Sequence, residues 1–299
     1  MTVHVYQDVY DDYSAGMVSG DAIPLVRSQN IEGLKEFQAF QLLTSQDAPD
    51  KADYIGLFSV KFANKMRITV AEAKDFVASN PGYDVYLFNP YPYESYLFFN
   101  QWDSGEFHHP GIKKLAQILF DEFELGDVDK SPRMRANENV FCNYWIGTEA
   151  FFKEYVSIME RLAEIMLSRR EEFLSNTWHM NRIDTPYFTF ILERMLGTIL
   201  KHRQREFRAL SYPIQPALFG SMIADDSPIR FEKKRLHFLK VREKIDALDL
   251  KFKEIDYEPA YKTEFEAIND AASSLIRAGI ENLYISGKQG LPVALSTGT

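Results

Sequence analysis

The stretch DYIGLFSVKFANKMRITVAEAKDFVASNPGYDVYLF, residues 53–88, decides the fold class. It opens on a nearly continuous apolar run, Asp53 to Phe62, which reads as a strand buried on both faces. Thr69 is an N-cap with Glu72 three residues on, a capping box, and the helix it starts runs to about Ser79. Asn80-Pro81-Gly82 turns the chain, and Tyr83 to Phe88 is a second buried strand, stopped by Asn89-Pro90-Tyr91-Pro92. Strand, helix and strand at this spacing make a βαβ unit, and so a parallel sheet.

Upstream, Val3 to Gln7 alternates like a first strand and runs into an acidic loop, Asp8 to Gly20. A loop after the first strand of an open α/β sheet is a common ligand position, which makes Asp8 a candidate. Ile23 to Val26 is a short strand, and Ile31 to Leu43 has helical spacing. Downstream come the polar Asn100 to Glu106, a loop Phe107-His108-His109-Pro110-Gly111 and a helix over Ile112 to Phe123. A charged loop from Gly126 to Glu138 leads to a short aromatic strand and a helix with Phe152, Tyr155, Met159, Leu162 and Met166 inward. After a polar loop, WHMNRIDTP, Asp184-Thr185-Pro186 starts a helix striped by Phe188, Ile191, Leu192, Met195 and Ile199.

Beyond Arg203 the character changes. A long helix starts near Pro228, and Phe238, Val241, Ile245, Leu248, Phe252 and Ile255 form a heptad seam along it. Such a seam packs across its own domain or pairs two protomers through the 231–255 helix. Another helix is expected over about Thr263 to Ala278 and a loose tail from Gly287. The sequence therefore predicts an α/β domain over residues 1–210, a mostly parallel sheet flanked by helices, and a helical C-terminal extension over 211–299.

The chain has 299 residues and a net charge of −9, which argues against a general nucleic-acid surface. Its one cysteine, Cys142, allows no internal disulfide and suits a reducing compartment. No window reaches the roughly 18 apolar residues a spanning helix needs, so a cytoplasmic protein is expected.

Glu193 and Arg194 are the only charged residues between Thr189 and Ile199. A charge pair in so apolar a stretch is costly unless paired or used. Glu193 suits a general base taking a proton from a hydroxyl; the alternative is a structural Glu-Arg arrangement tying the helix to a loop. His108-His109 with Asp103 and Glu106 offers metal ligands, a polar ligand loop or a capped helix start. The strand end at Asn89 lacks the acidic pair of a divalent-metal nucleotide site, leaving Mn or Mg dependence open and poorly supported. Arg182, near Trp178 and His179, can chelate a phosphate, or belong to a plain surface loop. P-loop, dinucleotide and serine-hydrolase fingerprints are missing.

The segments DYIGLFSVKF, NPGYDVYLFNPYP, FHHPGIKKLAQILFDEF, NYWIGTEAFFKEYVSIMERL and YFTFILERMLGTIL, in that order, resemble a bacterial capsular and O-antigen polysaccharide family regarded as glycosyltransferase-like. The resemblance covers about Ala52 to Leu200. It implies a Rossmann-like, A-type glycosyltransferase fold that binds a nucleotide-sugar donor, most often a UDP-sugar, and a glycan acceptor. It implies that Gly56, Ser59 and Lys61 lie beside the nucleotide, that His109 faces the sugar, that Asn143 is near the acceptor and that Glu193 is the general base. Where the family has His-Tyr-Arg-Arg after its Gly-Leu pair, this chain has Ser59-Val60-Lys61-Phe62, replacing a bidentate Arg pair by a point charge. The expected activity is sugar transfer to a surface polysaccharide or its lipid-linked precursor. Docking at the inner membrane face through Lys233-Lys234-Arg235 is a further expectation. The rival readings are a carbohydrate-binding scaffold and a metal-dependent hydrolase using the His108-His109 loop.

Overall fold

The computed structural model describes residues 1–27, 37–44, 52–179, 182–204, 206–215, 218, 228–252 and 259–270; the side chains of 178, 179, 182–184 and 228–234 lie outside that description. In chain order the first half reads β1 (Val3–Val9), α1 (Asp12–Ala15), β2 (Ile23–Val26), α2 (Phe37–Thr44), β3 (Tyr54–Ser59), α3 (Phe62–Met66), α4 (Val70–Ser79) and β4 (Val85–Leu87). Then follow α5 (Glu94–Leu97), α6 (Gln101–His108), α7 (Ile112–Glu122), β5 (Trp145–Thr148), α8 (Glu149–Ser168) and α9 (Arg170–Phe173). The chain continues through β6 (Asn176–His179), β7 (Arg182–Pro186), α10 (Tyr187–His202), β8 (Ala209–Ser211) and α11 (Pro228–Lys251). A last helix, α12, covers residues 259–270.

Six strands form one sheet in the order β2-β1-β3-β5-β4-β8. β1 pairs parallel with both β2 and β3, and β4 pairs parallel with β8. β5 is antiparallel to β3 and to β4. Five strands thus run one way and β5 runs against them, so the expected mostly parallel α/β sheet is present. The βαβ unit is present too, β3–α4–β4, but its strands are not neighbours because β5 lies between them.

Strand side chains alternate between two apolar layers, as a sheet covered on both faces requires. Leu57, Val85, Leu87 and Trp145 enter a core with α2, α7, α8 and α10, while Tyr54, Phe58, Tyr86 and Ile146 enter one with α3 and α4. The capping box forms as expected: Thr69 Oγ1 accepts from Glu72 N at 3.1 Å, and Glu72 accepts from Thr69 N at 2.7 Å.

Several expected boundaries shift for local reasons. β3 ends at Ser59 because Lys61 becomes the N-cap of α3 and Phe62 its first residue. The polar segment after Asn100 is helical, since Asn100 Oδ1 accepts from Trp102 N at 2.9 Å and Asp103 N at 3.0 Å. WHMNRIDTP is not a loop: β6 and β7 pair as a hairpin, and α10 starts after Pro186. The helix expected from Ile31 is described only over Phe37–Thr44. Residues 271–299, with the expected tail, lie outside the described residues.

The heptad seam is used inside the chain. Phe238, Val241, Ile245, Leu248 and Phe252 share a third core with Tyr96 to Phe99 and with Tyr261 and Phe265 of α12. Arg133 locks the extension to the body. Its guanidinium donates to the carbonyls of Ser95, Phe98, Phe99 and Met134 and to both carboxylate oxygens of Asp249 on α11.

Candidate functional site

In open α/β sheets, ligands bind beyond the carboxyl ends of the strands, where the strand order reverses. Here the chain steps from β1 to β2 on one side and to β3 on the other, placing that point at the ends of β1 and β3. Gln7, buried in β1, spans it: Nε2 donates to Ser59 O at 3.2 Å and Oε1 accepts from Ser19 N at 2.7 Å. Because β5 runs backward, the residues preceding it reach the same edge. Cys142 and Asn143 take left-handed backbone angles, φ 61° and 52°, which side chains other than glycine adopt at a cost, and Tyr144 follows.

Five side chains meet there. Ser59 Oγ lies 2.6 Å from Tyr144 OH, and Lys65 of α3 donates from Nζ to Cys142 Sγ at 3.1 Å. The same ammonium lies 6.0 Å from the centroid of Tyr91 and 5.8 Å from that of Tyr144. Burial works against the Lys65 charge, but Cys142, Tyr144 and Tyr91 outweigh it and hold the ammonium well above its ordinary pKa. Burial pushes both phenols up, and Tyr91 is pushed further by Cys142 and by the charge of Glu193, against the pull of Lys65. Glu193, half-buried on α10, is thus near enough for its charge to bear on the Tyr91 phenol.

The remaining sequence candidates divide clearly. Asn143 is buried at this edge, next to Cys142. Arg194 is buried and its pKa lowered by burial; it donates from Nε to Gln101 O at 3.0 Å and from Nη1 to Phe190 O at 2.9 Å, fastening α10 to α6. Asn89 donates to Ala136 O at 2.9 Å and accepts from Tyr91 N at 2.9 Å, fixing the turn that presents Tyr91.

Asp8 is not in a loop but in β1, where Arg27 grips it from Nε at 2.6 Å and Nη2 at 2.9 Å. Lys61 is exposed at the start of α3, and Lys65, one helical turn on, is the cation turned inward. Gly56 is three residues from the edge. A Cβ there would sit 2.8 Å from Ile146 Cγ1 and 3.0 Å from Trp145 O, so glycine lets β3 and β5 approach.

The His108-His109 loop is a helix end. His108 closes α6 with Nε2 3.3 Å from Glu94 Oε1, and His109 is buried, stacked on Phe190 at 3.6 Å between centroids. Asp103 pairs with Lys113 at 2.5 Å. Arg182 lies in β7, its side chain outside the described residues. Among the described residues no three His, Cys, Asp or Glu side chains come together as a metal donor set.

Lys65, Tyr91, Cys142 and Tyr144 were missed by sequence reasoning. Lys65 and Cys142 lie 77 positions apart, and neither stands in a motif that announces the other. Comparison of the chain with protein-family models, with curated proteins and with solved structures finds no match.

Proposed function

We propose that the protein is a glycosyltransferase with an A-type, nucleotide-sugar-binding fold, moving a sugar from a UDP-sugar or related donor to a bacterial surface polysaccharide or its lipid-linked precursor. The observation that carries this reading is the inward Lys65 ammonium among Tyr91, Tyr144 and Cys142 at the carboxyl edge of the sheet, with the charge of Glu193 near enough to act on Tyr91. Lys65 is a persistent cation and Glu193 a half-buried carboxylate. The resemblance to capsular and O-antigen proteins supports the same reading.

In this mechanism the Lys65 ammonium attracts the donor diphosphate and stabilises the charge it gains on leaving. Glu193 takes the acceptor hydroxyl proton as the oxygen bonds to the anomeric carbon, while the bond from that carbon to the diphosphate oxygen breaks. Nucleoside diphosphate departs and the anomeric configuration inverts. A carboxylate base contributes about 10²- to 10⁴-fold to such a step. Tyr91, kept protonated, is a hydroxyl donor available to donor or acceptor. A lipid-linked acceptor would bring the protein to the inner membrane face. Among the described residues no helix is long and apolar enough to cross the membrane.

A thermal-shift screen against UDP, GDP, CMP and their sugars, with and without Mn²⁺, tests the reading. A ligand at a hundredfold excess over Kd adds about 2.7 kcal/mol of stability, a readily seen shift. Lys65→Met should abolish the shift, and Glu193→Gln should keep it while lowering turnover about 10²- to 10⁴-fold. Flat curves with every nucleotide would refute the transferase and favour the carbohydrate-binding scaffold.

A further inference from the structure

A groove of about 690 Å³ lies between the carboxyl end of α10 and the β4–β8 edge of the sheet. Gly197 and Lys201, which line it, follow Glu193 at i+4 and i+8 on α10 and so share its stripe of the helix. Lys201 is about 12 Å along the helix axis from the proposed base. The groove thus begins about a turn from the reacting centre.

Its lining suits a sugar chain. Half-buried Phe207 and Tyr212 offer aromatic surface for the C–H faces of pyranose rings. Lys201 and Glu138 pair at 3.0 Å and cancel in charge, leaving fixed polar groups for hydroxyls. Arg208 lies exposed at the groove with its guanidinium over the Tyr83 ring at 5.1 Å, and it forms no ion pair with a carboxylate among the described residues. Its backbone is held at the start of β4, with N–H donating to the Asp84 carboxylate at 2.7 Å and the carbonyl accepting from Asp84 N at 2.8 Å, and its guanidinium is left to the groove. In a chain of net charge −9, the charged residues among the described lining are Glu138, Lys201 and Arg208, and with the first two paired the guanidinium of Arg208 is the charge the groove presents.

We infer that this groove binds the acceptor, a glycan chain bearing a uronate, with the carboxylate on Arg208 and the growing end directed toward Glu193. The word acceptor rests on the transferase reading; glycan binding in the groove does not.

The test is an array of neutral and uronate-bearing oligosaccharides probed with full-length wild-type, Arg208→Ala and Ala209→Trp proteins. Ala209 is an exposed groove residue on β8, so tryptophan fills space there without touching the Lys65 cluster. Wild type should hold uronate-bearing chains over neutral ones, and both variants should bind them roughly tenfold or more weakly. The nucleotide-induced thermal shift should be unchanged in both, which also reports that they fold; Arg208→Ala decides alone if the tryptophan variant does not. No glycan bound, neutral chains bound equally well, or binding unaltered in Arg208→Ala each overturns the inference. Nucleotide response without glycan binding sinks the groove and spares the transferase. Glycan binding lost in the variants, with no nucleotide response in wild type, does the reverse.

Discussion

Arg133→Met should cost about 3–5 kcal/mol of folding stability, a large part of the roughly 5–15 kcal/mol that holds an ordinary domain folded. The Arg133 side chain is 2% exposed, and that of its partner Asp249 is 12% exposed. The substitution keeps an apolar stem but takes a donor from four buried carbonyls and from the Asp249 carboxylate; of the carbonyls, Phe99 O still accepts from Met134 N at 3.1 Å. Each orphaned carbonyl alone would cost about 1–3 kcal/mol, but these costs do not add, because the groups share one cavity and relax together. Asp249 keeps its bond from Tyr261 OH, which limits the loss. Phe265 loses the guanidinium packed 4.5 Å from its ring centroid. Urea unfolding followed by tryptophan fluorescence and by far-ultraviolet circular dichroism measures the effect. Trp102 and Trp145 report the sheet and its covering helices, whereas dichroism also includes α11 and α12. The two signals should change together in wild type, because α11 shares a core with Tyr96 to Phe99. A loss below about 1 kcal/mol, or a separate early dichroism transition in wild type, would refute the account of Arg133 as the lock between extension and body.

Gly56→Ala should destabilise the protein by about 1–3 kcal/mol, since its Cβ meets Ile146 Cγ1 at 2.8 Å, closer than real Cβ atoms come, and the Trp145 carbonyl at a tight 3.0 Å. An unchanged melting temperature would show that β3 and β5 can part without cost. Thr69→Ala should cost about 1 kcal/mol near neutral pH through loss of the α4 cap. The Glu72 carboxyl lies below its ordinary pKa, first through the backbone N–H of Thr69 and then through its hydroxyl. A lowered folded-state pKa gives stability that is present above the unfolded value and disappears as pH falls through the folded one. Denaturant titrations should therefore show the gap between wild type and Thr69→Ala narrowing below about pH 4. A gap constant in acid would contradict the Glu72 contribution.

Local signals carried most of the fold. The capping box, the apolar periods of α7, α8, α10 and α11, and the continuous apolar runs of β3 and β4 depend on neighbours a few residues apart, so they are readable in a single sequence. Elements defined by distant partners were not. α6 has no apolar stripe because it buries Gln101 and Ser104, whose partners Thr198 and Glu94 come from other elements. β8 has three residues and becomes a strand only by pairing with β4. Glu193 was legible as a charge on an apolar helix. Its company was not, since Tyr91, Lys65 and Cys142 arrive on three separate segments.

The reversed strand explains how those segments meet. Had β5 run parallel to its neighbours, Tyr144 would lie at the amino edge of the sheet, far from Ser59. Running backward, it brings Tyr144 within 2.6 Å of Ser59 and sets Cys142 against Lys65. The register that fixes these meetings is Gly56 opposite Ile146. Gly56 therefore acts on the edge without reaching it: it lets β5 come close enough to β3 for the turn before β5 to be placed. The same substitution that costs stability should thus weaken nucleotide response beyond what the loss of folded protein explains. Gly56→Ala assayed well below its own melting temperature separates the two effects. A full nucleotide shift from the folded variant would show that the placement of Tyr144 and Cys142 does not depend on this close approach.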